Sequence, residues 1–253
     1  MASIKLKNVN FEYHLYEVTN RSLKISLAKR FGSKDSSQLK VHALKDISLE
    51  LETGDRLGII GANGAGKTSL LRVLAGLAHP SSGEVIAEGR VLPLIDRGLG
   101  INSELSAREN IELPLRLLGA TTEEINNARE DIKSFADLEE FFDLPMHRYS
   151  EGMKARVSFA LSTSIPTDVL VLDEWLGTGD ASFVKRAEDR LNSYLDEIKI
   201  VILASHSMEL LANVCNKVIW LHHGEIVKIG PPAETIQEYM DFSAAHAIQA
   251  SAE

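Results

Sequence analysis

Leu57-Gly58-Ile59-Ile60-Gly61-Ala62-Asn63-Gly64-Ala65-Gly66-Lys67-Thr68-Ser69-Leu70-Leu71 is the stretch whose reading decides the fold. A run that is apolar throughout ends in a glycine-rich octet, Gly61 to Thr68, that matches G-x-x-x-x-G-K-[ST], and a helical run through Leu77 follows. Glycines let the backbone close around an anion with successive amide N–H groups pointing inward, and the helix N-terminus adds its partial positive charge. Lys67 supplies a point charge for the β and γ phosphates of a nucleotide. Thr68 offers a hydroxyl to Mg2+, which takes few protein ligands and keeps several waters. The candidate phosphate cradle is Gly61, Ala62, Asn63, Gly64, Ala65, Gly66, Lys67, Thr68 and Ser69. A glycine-rich turn with a chance lysine has no reason to sit between a buried strand and a helix.

Outward from this loop, short β-type runs alternate with helical stretches: Ile4 to Val9, Ala43 to Leu51, Arg56 to Ile60, Gly83 to Ala87, Val169 to Leu172, Ile198 to Ala204 and Val218 to Leu221. That rhythm predicts strands fed by crossover helices, hence an α/β fold. Leu57 to Ile60 and Val169 to Leu172 read as central strands, covered on both faces of a largely parallel sheet. Between about Ile101 and Ile165 the β signal stops. Ser106 with Glu109 and Thr121 with Glu124 have capping-box spacing, and Ile125, Ala128, Ile132 and Phe135 recur at helical period, which predicts a helical lobe inserted between sheet strands.

The chain has 253 residues, 44% hydrophobic and 25% charged, so it can bury a core of its own. Its apolar runs fall short of the roughly 20 residues that span a bilayer, and its N-terminus lacks a signal-peptide apolar region. Its one cysteine, Cys215, excludes an internal disulfide and a Cys-rich metal site. The default compartment is the cytoplasm. The net charge of -9 argues against wrapping nucleic acid over a broad surface. That sum hides two unlike parts. The first 45 residues hold nine Lys or Arg against three acids, whereas the remainder holds 18 against 33.

Two further segments carry chemistry. Val169-Leu170-Val171-Leu172-Asp173-Glu174 is an apolar strand ending in two carboxylates, about a hundred residues beyond the glycine loop. Emerging at the phosphate edge of the sheet, it can set Asp173 near a metal and Glu174 near an attacking water. Two acids after a strand are often a solvated turn, but the preceding loop makes that reading the weaker one. In Tyr149-Ser150-Glu151-Gly152-Met153, Ser150 is a good helix N-cap, and the same geometry makes an anion site.

Together with Ser205-His206-Ser207, these segments resemble the ATP-binding subunits of ABC transporters, in order and spacing from Ala43 to Tyr239. The resemblance implies a P-loop NTPase with a RecA-like core, an antiparallel β subdomain and an inserted helical lobe. The whole chain is then one nucleotide-binding domain: 1–100 and 166–230 core and β subdomain, 17–40 an insertion, 101–165 the lobe, 231–253 a C-terminal tail. It also implies ATP and Mg2+ as ligands and a head-to-tail homodimer. There, Ser150 and Gly152 of one copy close over the γ-phosphate held by the other, and Asp180 touches the partner. His206 matches the histidine that contacts the γ-phosphate and helps hold Glu174 and its water; a surface loop histidine is the plainer reading.

Within the family, Tyr-Ser-Glu-Gly-Met and the segment Gly177-Thr178-Gly179-Asp180 are similar to exporters of lipid-linked polysaccharide such as O-antigen, capsule or teichoic acid. There, paired subunits act beneath integral membrane permease subunits at the cytoplasmic face of the bacterial inner membrane. The loop glutamine usual in the family has no match. Asp96, in Leu94-Ile95-Asp96-Arg97-Gly98, stands in its place; it can reach a metal-bound water but, ionised, donates no hydrogen bond. Tyr13 is the candidate for stacking on adenine, with Tyr16 second, provided that the 17–40 insertion loops out. Within it, Asn20 can cap a helix with Leu23, Leu27 and Phe31 on one face and Lys24, Lys29 and Arg30 around it, ending at Gly32. Such a helix suits packing on its own domain more often than a lipid diphosphate headgroup. The extra C-terminal β domain of some relatives is expected to be absent.

His222 and His223 read as strand-end residues before Gly224, Cys215 as a small buried hydrophobe in a helical stretch, Trp175 as packing, and Pro166, Pro231 and Pro232 as element boundaries. Two other functions fit less well. A soluble ABC-type ATPase of DNA repair or translation usually carries tandem domains or long coiled coils, and a P-loop small-molecule kinase leaves Ser150 to Met153 and His206 unexplained.

Overall fold

The computed structural model describes residues 1–15, 39–95, 101–164, 167–173 and 181–250. Tyr16, the segment Asn20 to Gly32, Asp96, Pro166, Glu174, Trp175 and Asp180 lie outside the described residues. Strands β1 (Ser3–Leu15), β2 (Leu39–Glu52) and β4 (Ser82–Glu88) form an antiparallel sheet in the order β2-β1-β4. A second sheet holds β3 (Arg56–Ile60), β5 (Val91–Leu94), β6 (Val169–Asp173), β7 (Ile200–Ala204), β8 (Lys217–His222) and β9 (Glu225–Gly230). Its order is β5-β6-β7-β3-β8-β9, parallel except for β9, which runs antiparallel to β8.

The unbroken apolar runs of the central strands are explained by burial on both faces. Leu57, Ile59, Val169, Val171, Ile200, Ile202 and Ile219 pack toward β1, β2 and helix α1 (Lys67–Leu74). Their alternates Ile60, Leu170, Leu172, Val201, Leu203 and Val218 pack in a second cluster on the opposite face. Helices α2 (Ala107–Leu117), α3 (Thr122–Phe135) and α4 (Glu151–Ser162) enclose a third cluster, the expected helical lobe. Both capping boxes form as the spacing requires: Ser106 with Glu109 starts α2 and Thr121 with Glu124 starts α3. Helices α5 (Ala181–Glu197), α6 (Met208–Val214) and α7 (Pro232–Ala250) complete the order.

Residues read as a tail thus contain a helix, α7, whose Tyr239 and Phe242 meet Trp220 of β8 edge to face. Cys215 is buried, and burial pushes its thiol up to about 12. It sits at the C-cap of α6 with extended backbone, just past the helix rather than within it. Strands β1 and β2 run well beyond the predicted Val9 and Ala43, pairing Tyr13 with Val41 and Leu15 with Leu39. The extension alternates apolar with polar residues, Phe11, Tyr13 and Leu15 on one strand and Leu39, Val41 and Ala43 on the other, and Glu12 pairs across it with Lys40 and His42. Among the described residues, no helix is long and apolar enough to cross a membrane.

Candidate nucleotide site

Parallel strands end on the same edge of a sheet, and this delivers the three predicted segments to one place. Register puts Asp173 beside Ala204 and Ala204 beside Ile59, so Asp173 and the chain leading to Gly61 and His206 leave at one level. Alternation then fixes the side of Asp173. Like Val169 and Val171 it faces α1, and its Oδ2 accepts a hydrogen bond from Thr68 Oγ1 at 2.9 Å. A hydroxyl and a carboxylate at that separation are hard oxygen donors suited to one Mg2+. Among the described residues no cluster of three or more His, Cys, Asp or Glu could hold a metal by itself.

The loop is tightly constrained from behind and open in front. Ala62, Asn63 and Gly64 are exposed, whereas Gly61 and Ala65 are buried. Gly66 caps α1 at φ 107°, and a Cβ there would lie 2.6 Å from the Ala43 carbonyl oxygen. A Cβ on Gly61 would lie 2.3 Å from the carbonyl oxygen of Leu221. Lys67 Nζ donates to the carbonyls of Gly61 (2.8 Å) and Ala62 (3.2 Å), which curls its ammonium back over the loop. The hydroxyls of Ser69 and Tyr13 are hydrogen-bonded at 3.3 Å, and Phe11 packs edge to face on Tyr13, so Tyr13 stands directly beside α1.

The turn between β8 and β9 supplies a support that the sequence reading passed over. Gly224 N–H donates to Ala65 O at 2.9 Å, and Gly224 O accepts from Lys45 N–H at 2.8 Å. These are backbone contacts, and their one trace in the sequence is Gly224 itself, held at φ 82° with a Cβ position 2.7 Å from Ala43 O. His222 and His223 lie at this turn with ring centroids 4.2 Å apart; burial, then His223 and His246, holds His222 below its ordinary value.

Ser150 is the N-cap of α4, its Oγ accepting from Met153 N–H at 3.2 Å. Gly152, in the first turn, is exposed, and a Cβ there would meet nothing closer than Ser150 Oγ at 3.8 Å. Neither packing nor conformation in this chain asks for glycine at that point, while a glycine inside a helix costs about 1 kcal/mol relative to alanine. Tyr149 is buried and donates to Phe141 O at 2.6 Å, anchoring the start of the motif. His206 is exposed just beyond β7, ahead of Ser207, which caps α6. The structure thus brings Lys67, Thr68, Ser69, Asp173 and Tyr13 into one site and leaves Ser150 and Gly152 on the lobe surface.

Comparison with known proteins gives the family. Residues 44–177 match the family model described as ABC transporter. The O-antigen export system ATP-binding protein RfbE of Yersinia enterocolitica is 40% identical over 231 residues, which span 89% of this chain and 97% of that protein. The teichoic acids export ATP-binding protein TagH of Listeria monocytogenes serotype 4b (strain F2365) is 36% identical, over 94% of this chain and 70% of that protein. Among solved structures, the ATP-binding cassette MJ0796, in a dimeric post-hydrolysis state bound to ADP and Pi, superposes with a TM-score of 0.66. It covers 90% of this chain and 98% of its own at 22% identity, a likeness of fold. With its P-loop at the head of a parallel sheet and relatives matched over most of their length, the chain belongs to the ABC transporter family, among its ATP-binding subunits.

Proposed function

We propose that the chain is the ATP-hydrolysing subunit of an exporter of lipid-linked polysaccharide, acting as a homodimer beneath integral membrane permease subunits at the cytoplasmic face of the bacterial inner membrane. The Thr68–Asp173 bond at 2.9 Å carries the enzymatic half of this reading, because it joins the loop helix and the acidic strand end at one point. The names and high coverage of the O-antigen and teichoic acid export relatives support the transported class.

In this reading the amides of Gly61 to Ser69 and the Lys67 ammonium bind the phosphates, and Tyr13 offers a ring face to adenine. Thr68 and Asp173 would hold Mg2+, and Asp96 is the candidate for a further, water-mediated contact. When bound, Mg2+ offsets negative charge on the β and γ phosphates. Glu174 orients the attacking water and takes its proton, and His206 fixes the γ-phosphate end of the site. Ser150 and Gly152 of one copy complete the site of the other, with Asp180 at the contact between copies. The domain plan follows: 1–100 and 166–230 as core and β subdomain, 101–165 as lobe, and the insertion expected at 17–40 shortened at its end, because Leu39 and Lys40 belong to β2.

The test is co-expression with the membrane protein of a neighbouring gene, followed by reconstitution in vesicles. The account expects the two chains to purify together and an undecaprenyl-diphosphate-linked glycan to raise ATP turnover. Copurification without any response to such lipids would refute the transported class and leave the ATPase assignment standing.

A further inference from the structure

The helical lobe and the sheet meet at an apolar seam where Phe135 and Phe159 of the lobe pack on Phe183 of α5, and arginines of the sheet side reach across it around these rings. Arg90, before β5, pairs with Glu124 of α3 at 3.0 Å. Arg186 of α5 pairs with Asp137, beyond the end of α3, at 2.7 Å. Arg190, one turn along α5, is the most fully engaged. Its Nη1 donates to Asp131 Oδ1 of α3 at 2.9 Å, and its Nη2 reaches the other oxygen of the same carboxylate. Its Nε donates to Thr163 Oγ1 at 2.6 Å, and Nη2 also reaches the Thr163 carbonyl at 3.3 Å. The guanidinium lies over the Phe135 ring at 4.5 Å. One side chain thereby ties α5 to α3 and to Thr163, the C-cap of α4.

Both ends of that linkage matter. Helix α5 starts at Ala181, directly after the stretch that carries Glu174 and Asp180, and α4 presents Ser150 and Gly152 at its opposite end. A 12-residue helix is about 18 Å long, so a tilt of about 5° about the Thr163 end moves the Ser150 end by about 1.6 Å. Displacements of about 1 Å at a reacting centre can cost on the order of 10²-fold in rate. Partly exposed ion pairs add little net stability, so this bidentate, fixed-fork contact is better suited to setting direction than to holding the fold.

We propose that Arg190 is a positioning residue: it sets the angle of the helical lobe against the sheet, and so acts on hydrolysis across the dimer without acting on ATP binding by the P-loop of its own chain. This rests on the homodimeric ATPase reading above. The experiment compares full-length wild type, Arg190→Met, Arg190→Lys and Asp131→Asn. For each, kcat at saturating ATP, the Kd of a fluorescent ATP analogue and the Tm are measured. Expected for Arg190→Met are a kcat lowered tenfold or more and a Kd within twofold of wild type, with partial recovery in Arg190→Lys. Asp131→Asn, which keeps the arginine, should show the same split and carries the test if Arg190→Met does not fold. Unchanged kcat in the variants, or a kcat loss matched by losses in Tm and nucleotide binding, overturns the proposal. Absence of hydrolysis in wild type would instead count against the ATPase reading itself.

Discussion

Two glycines of the phosphate loop look alike in the sequence but differ in what surrounds them. Gly66 and Gly64 both have positive φ, yet a Cβ on Gly66 would strike the Ala43 carbonyl oxygen, whereas Gly64 has nothing within 4 Å. Gly64→Ala should therefore cost only backbone strain, about 1 kcal/mol, while Gly66→Ala adds a steric clash and should lose on the order of 3 kcal/mol. Denaturant unfolding checks this order, and the KM for ATP should rise more than tenfold in Gly66→Ala alone. Lys67→Ala should abolish measurable ATP binding and lower Tm far less, since the ammonium donates to the loop carbonyls of Gly61 and Ala62, which water can satisfy in its place. The chemistry of the loop was legible because side chains and glycines announce it. Its backing by Leu221 and Gly224 was not, because a backbone carbonyl or amide leaves no letter in the sequence.

Elements were legible where local rules and burial agree. The lobe helices start where Ser106 and Thr121 cap them, and the central strands alternate between two buried faces. Strands β5 and β9 were missed for separable reasons. Strand β5 contains Pro93, tolerated because β5 is an edge strand bonded only to β6. On β9 the apolar Val227 and Ile229 point outward and Lys228 inward, which inverts the usual pattern. Helix α3 offers a pH prediction. The Thr121 backbone N–H, then Arg90, holds the Glu124 carboxyl below its ordinary 4.5. A depressed folded-state value means stabilisation that is present above pH 4.5 and lost as pH falls through the folded value. Thermal melts should show the lobe weakening below that pH, and Glu124→Gln should flatten the dependence. Thr121→Ala should cost about 1 kcal/mol at neutral pH. A Tm for Thr121→Ala equal to wild type would contradict the capping account.

At the scale of the whole molecule, the helical lobe could be read from where the β rhythm stops, whereas the separate antiparallel sheet is expected from the family resemblance alone. The seam could not, because Arg186 and Arg190 are ordinary charged residues of a helix until folding sets them against Asp137 and Asp131. The same holds for the division of the site. Lys67, Thr68 and Asp173 meet within one chain, while Ser150 and Gly152 face outward on the lobe, and in the proposed reading a second copy brings them to the site. That division is the central claim, and it is tested most directly by the mass of Glu174→Gln in solution with and without Mg-ATP, measured by light scattering on a sizing column. The account predicts a single-chain mass without nucleotide and a stable species of twice that mass with it. A Glu174→Gln protein that binds ATP and keeps the mass of one chain would contradict it.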